Sequence, residues 1–114
     1  MIAVIFEVVP ASGRADDYLE IAGQLNALVK DLDGIISIER FRSLTHPEKL
    51  LSLSFWRDED AVREWRNVAE HRRAQQAGRA GIFRDYRLRI AEVVRDYGLH
   101  DREQAPGDSR ALHR

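Results

Sequence analysis

Gly34–Ser43, GIISIERFRS, and Leu50–Trp56, LLSLSFW, are two strand-like runs separated by Thr45-His46-Pro47-Glu48-Lys49. The proline and polar residues between them suit a tight reversal, so the two runs pair as a hairpin at the middle of the chain. Upstream, Arg14 to Lys30 places Tyr18, Leu19, Ile21, Ala22, Leu25, Leu28 and Val29 at three- and four-residue steps, with Asp33-Gly34 as a stop. That spacing predicts an amphipathic helix. Downstream, Asp58 to about Ala77 opens with acidic residues, which favour a helix N-terminus, and carries Ala61, Val62, Trp65, Val68 and Ala69 on one face. This predicts a second helix.

Further outward, Ile2 to Val9 is rich in β-branched residues and is closed by Pro10. At the other end Gly78 and Gly81 break the helical pattern, and Asp85 to Arg95 alternates as a last strand. The order is therefore βαββαβ. Two βαβ-like halves around a hairpin make a ferredoxin-like α+β domain, a four-stranded antiparallel sheet with both helices on one face. Residues 1–97 form this domain, and residues 98–114, LHDREQAPGDSRALHR after Gly98, are poor in bulky apolar residues and read as a mobile tail. Both faces of the sheet are apolar: Ile2, Val4, Phe6 and Val8 alternate with Ala3, Ile5 and Val9, and Leu51, Leu53 and Phe55 oppose Leu50 and Trp56. Helices cover one face only, and monomers rarely expose so large an apolar patch. A homodimer with its sheets packed face to face is the expectation.

Composition narrows the function. The chain has 114 residues, 44% hydrophobic and 32% charged, with a formal net charge of −1, which fits one folded domain. It lacks the basic surplus that phosphate-backbone recognition requires, so no nucleic-acid partner is expected. With no cysteine there is no thiolate nucleophile, iron–sulfur cluster or cysteine zinc site. The opening MIAVIFEVVP has no basic n-region or cleavage motif, and no apolar run approaches a membrane span, so a cytoplasmic protein without membrane contact is expected. No phosphate loop, dinucleotide fingerprint, HExxH or GxSxG occurs.

The phrase Ser54-Phe55-Trp56-Arg57-Asp58-Glu59-Asp60-Ala61-Val62-Arg63-Glu64-Trp65-Arg66 resembles the strand-to-helix junction of the antibiotic biosynthesis monooxygenase family. Val9-Pro10-Ala11, Gly34-Ile35-Ile36-Ser37 and Glu70-His71-Arg72-Arg73-Ala74-Gln75 extend the resemblance, which covers about residues 2 to 97. It implies a dimeric α+β barrel with a pocket in each subunit between sheet and helices. Members of that family include cofactor-free oxygenases of aromatic molecules, heme-degrading enzymes and proteins without established activity, so the fold alone does not choose a reaction.

In the anthrone-oxidising branch an asparagine four residues before the strand tryptophan contributes; here the asparagine falls on Ser52, the tryptophan on Trp56, and the branch's second-strand histidine near Arg42. In the heme-degrading branch the first-strand asparagine falls on Ile5 and the helical histidine near Ala74 or Gln75, while Trp65 matches.

Among the histidines, His46 lies in a turn, His100 and His113 in the tail, and His71 on a helix. An imidazole there suits general-base work or, in the heme alternative, iron ligation; near a helix C-terminus it also suits a plain charge–dipole role. The leading expectation is a cofactor-free monooxygenase using dioxygen on a small hydrophobic or aromatic substrate, with no metal. His71 is base or polariser, Trp56 and Trp65 are pocket walls, Arg72 and Ser52 orient the substrate, and Phe6 and Arg42 touch it. Both tryptophans also fit as ordinary core residues. Heme binding with His71 on the iron, and a non-catalytic ligand-binding dimer, are the alternatives. Arg40, Arg42, Arg87 and Arg89 in strands need partners, and cross-strand pairing with Glu7, Glu39 and Glu92 would supply them.

Overall fold

A computed structural model of the chain describes the backbone of residues 1–75 and 81–112 and the side chains of 1–68 and 81–109. The elements are β1 (Ile2–Pro10), α1 (Ala15–Val29), β2 (Ile35–Arg42), β3 (Leu50–Trp56), α2 (Glu59–Gln75), β4 (Phe83–Glu92) and α3 (Gly107–Leu112). The four strands form one sheet in the order β2-β3-β1-β4, with every neighbouring pair antiparallel. This is the ferredoxin-like α+β arrangement that the order of elements predicts.

The register assigns the faces. Ile2, Val4, Phe6 and Val8 of β1 pair with Trp56, Ser54, Ser52 and Leu50 of β3, and these residues face the helices. Two core clusters result. Ile2, Val4 and Trp56 pack with Val29 of α1 and with Ala61 and Val62 of α2, while Val8 and Leu50 pack with Tyr18, Ala22 and Ile82. Tyr18, Ala22 and Val29 are the buried stripe of α1; Leu19, which falls off that stripe, is exposed.

The hairpin reversal closes through hydrogen bonds from Ser43 N–H to the Lys49 carbonyl (3.0 Å) and from Lys49 N–H to the His46 carbonyl (2.8 Å). Asp58 caps α2 by accepting the Ala61 N–H at 2.9 Å. β4 starts two residues earlier than its alternation suggests. A register shift between Val9 and Pro10 brings Pro10 opposite Phe83, and the Ala11 N–H donates to the Ile82 carbonyl at 2.7 Å. The segment after Gly98 carries local structure: Gly98 N–H bonds the Asp101 carbonyl, Ala105 N–H bonds the Arg102 carbonyl, Ala105 is buried, and α3 follows. Among the described residues, no helix is long and apolar enough to cross a membrane.

Candidate functional site

Between the helix-facing side of the sheet and α1, the described residues enclose a cavity of about 110 Å³. Its apolar walls come from Val4 and Phe6 of β1, Ile21 and Leu25 of α1, Trp65 of α2 and Leu88 of β4. Its polar groups are few: Tyr18, Asn26, Arg40, Ser52 and Ser54. Such a mixture, mostly hydrocarbon with a small number of placed polar atoms, is the usual make-up of a small-molecule site.

Local sequence explains how each side chain gets there. Phe6, Ser52 and Arg40 sit on three neighbouring strands in one transverse row, Phe6 opposite Ser52 and Ser52 opposite Arg40. The two serines are the gap in an otherwise apolar β3 face, because a short side chain at Ser52 and Ser54 leaves room where Leu50 and Trp56 fill it. One end is walled by rings: Phe6 lies 6.2 Å from Phe83 and 5.6 Å from Tyr86, and Tyr18 lies 5.8 Å from Phe83, at tilted or edge-on angles. Phe83 and Leu88 are 40% and 37% exposed, so the cavity meets solvent along β4.

Among the described residues that line the cavity, Arg40 carries the charge. Its Nη2 donates to Asn26 Oδ1 at 2.9 Å and to the Ala22 carbonyl at 3.4 Å. The cross-strand pairing expected of the sheet arginines holds for Arg89, which bonds Glu7 at 2.6 Å, but not for Arg40. A register shift between Ile35 and Ser37 leaves Glu39 opposite Leu53 on the other face and Arg40 opposite Ser52 on the helix face. Burial pushes the Tyr18 hydroxyl above the ordinary phenol range, with the Arg40 charge and hydrogen bond pulling the other way. Tyr18 is therefore neutral and able to donate.

The sequence-predicted residues divide. Phe6, Ser52 and Trp65 meet in the cavity. Trp56 does not line it: it is 0% exposed, its Nε1 donates to Ser54 Oγ at 2.8 Å, and it stands behind Trp65 with ring centroids 5.9 Å apart. Arg42 also lies apart. It sits at the end of β2, and its Nη1 donates to the Pro47 carbonyl in the hairpin at 2.6 Å. The side chains of His71 and Arg72, on α2, are outside the described residues. Sequence reasoning missed Tyr18 and Asn26, whose 18-22-25/26-29 helical spacing shows only that they share a face, and took Arg40 for an ion-paired sheet residue.

Among the described residues, the cavity lining holds no imidazole, thiol or thioether to ligate a heme iron. The heme alternative names His71, whose side chain lies outside the described residues.

Sheet order, antiparallel register and a sheet-to-helix cavity define an α+β ferredoxin-like protein with a mostly apolar cavity between sheet and helices. The model of the family described as antibiotic biosynthesis monooxygenase matches residues 1–77, and the chain belongs to that family. A relative named jasmonate monooxygenase, from Pyricularia oryzae, is 46% identical over 82% of this chain, and the chain spans 44% of that relative's length. A crystal structure of a candidate antibiotic biosynthesis monooxygenase from Deinococcus radiodurans superposes with a TM-score of 0.73 at 13% identity, covering 86% of this chain and 97% of its own. The Streptomyces nogalater protein SnoaB, a cofactor-independent oxygenase crystallised as a point mutant, gives a TM-score of 0.66 at 12% identity, covering 83% and 94%. At these identities the two structures share the fold with this chain.

Proposed function

We propose that the cavity is the site of a cofactor-free monooxygenation, in which a homodimer adds one atom of dioxygen to a small hydrophobic or aromatic molecule. The observation that carries this reading is the apolar, largely enclosed cavity into which Phe6, Ser52 and Trp65 converge. Family membership and the fold shared with a cofactor-independent oxygenase support it; so does the name of the fungal relative, which points to a small organic substrate.

In such a reaction the substrate supplies the electrons. Removal of a proton from an activated carbon leaves a carbanion that reacts with dioxygen; one oxygen atom stays in the product and the other leaves as water. The protein's part is to exclude bulk water, orient the ring and hold the proton. Phe6 and Trp65 are the walls, Ser52 and Arg72 orient the substrate, and His71 is assigned the base.

The test is dioxygen uptake by purified, chelator-treated protein with phenols, anthrones and jasmonate, with product mass read under ¹⁸O₂. Uptake with a single labelled oxygen, and about 10²-fold slower turnover in His71→Ala, is expected. Trp65→Ala and Phe6→Ala raise KM. Turnover that appears only after adding heme or flavin overturns the cofactor-free reading.

A further inference from the structure

Arg40 brings a permanent positive charge to the wall of a mostly apolar cavity, and among the described residues no carboxylate pairs with it. Its partners, Asn26 Oδ1, the Ala22 carbonyl and the Tyr18 hydroxyl, are neutral, and its Nε is buried without a hydrogen-bond partner. A guanidinium cannot shed its proton at any working pH, so it cannot relieve this position as a lysine could. A part-buried cation without a counter-ion is costly, and an anion delivered to it is bound correspondingly well.

The surroundings limit which anion. Tyr18, 4% exposed, lines the same cavity with a neutral hydroxyl, a second donor for an oxygen acceptor. Apart from Asn26, Ser52 and Ser54, the remaining walls are hydrocarbon. A phosphate ester would bring up to two charges to a cavity whose described lining holds one cation. A carboxylate brings one charge and two oxygens. We propose that this site selects small apolar carboxylic acids in their ionised form, with Arg40 receiving the carboxylate and the walls receiving the hydrocarbon. This deepens the oxygenase reading by naming its substrate class, and rests on the same cavity being the working site. Asn26 is the positioning residue, since its Oδ1 holds the guanidinium against the wall in the free protein.

Calorimetric titration of the intact protein at pH 7.5 with matched pairs tests it: phenylacetate, octanoate and jasmonate, each beside its methyl ester. The acid is expected to bind at least tenfold tighter than the ester in one or more pairs. Arg40→Gln should abolish that preference, and Arg40→Lys, which keeps the charge, should restore part of it. Circular dichroism checks that each variant is folded; if Arg40→Gln is not, the acid–ester comparison in wild type and Arg40→Lys decides. Equal binding of acid and ester in every pair, a preference that survives Arg40→Gln, or no acid bound at all overturns the inference. Dioxygen uptake is scored separately. An acid preference without uptake of dioxygen sinks the oxygenase reading and leaves acid recognition standing; uptake that is indifferent to the carboxylate does the reverse.

Discussion

Gly34 shows what a single residue contributes here. It ends the connection from α1 into β2 at φ +90°, in the left-handed region where a side chain is strained. A Cβ built on it would also lie 2.6 Å from the Ala61 Cβ, so the first turn of α2 packs directly on this backbone. Its carbonyl accepts the Arg57 N–H at 2.8 Å, tying the start of β2 to the end of β3. Gly34→Ala is expected to destabilise the fold by about 1–3 kcal/mol through strain and overpacking, read as a lower urea midpoint with an unchanged slope. Adding Ala61→Gly should recover only the contact part of that loss, because the backbone strain stays. Trp56 makes a similar point about reading residues singly. Its match to a family tryptophan suggests a pocket wall, yet complete burial and its bond to Ser54 make it the floor on which Trp65 rests.

At the scale of the element, the start of α2 couples charge to stability. Asp58 accepts the Ala61 N–H at 2.9 Å and the Arg57 Nε–H at 3.0 Å, and these bonds, the backbone one first, hold its carboxyl below the usual aspartate range. A carboxyl lowered in the folded state contributes stability that is complete above the unfolded chain's aspartate pKa. That contribution is lost as pH falls from there through the folded value. Asp58→Asn keeps a capping oxygen and removes the charge. Wild type should therefore unfold at a higher urea concentration than Asp58→Asn near neutrality, and the gap should close in acid; a gap independent of pH would show that the charge is immaterial. β4 illustrates the limit of pattern reading. Tyr86, Leu88 and Ile90 lie on the helix-facing side by register, yet all three are exposed on this edge strand. The incomplete cover leaves Leu88 at once a cavity wall and a surface residue.

For the whole molecule, the face of the sheet away from the helices is the open question of partnership. Ile5, Leu51, Leu53 and Phe55 lie on it with Phe41, which is 42% exposed, and with the Glu7–Arg89 pair towards one side. The chain is also drawn out, with a radius of gyration of 16.7 Å against the ~13 Å of a compact domain of this length. A homodimer closed over this face is the arrangement proposed above. Leu53, paired with Ile5 on one side and Glu39 on the other, stands among these apolar residues. Sedimentation should give a dimer for wild type at micromolar concentration and a folded monomer for Leu53→Glu, because a carboxylate buried without a partner opposes association. A monomeric wild type refutes the arrangement.

The sequence by itself determined the order of elements, the faces of the strands, the hairpin and the family. These follow from periodicities and turn residues that act within about ten positions: the alternation along Ile2–Val9, the spacing of Tyr18, Ala22 and Val29, and Thr45–Lys49 between two apolar runs. Ser52 and Trp65 were picked out through the family pattern, and both line the cavity with Phe6. Only the tertiary structure decided that Arg40 rather than Arg42 enters the cavity, that Tyr18 and Asn26 stand beside it, and that Trp56 stays behind it. The physical reason is that a cavity is what packing leaves unfilled. Its lining is drawn from α1, α2 and all four strands, and the β2 register shift that places Arg40 on the inner face has no signature in local periodicity.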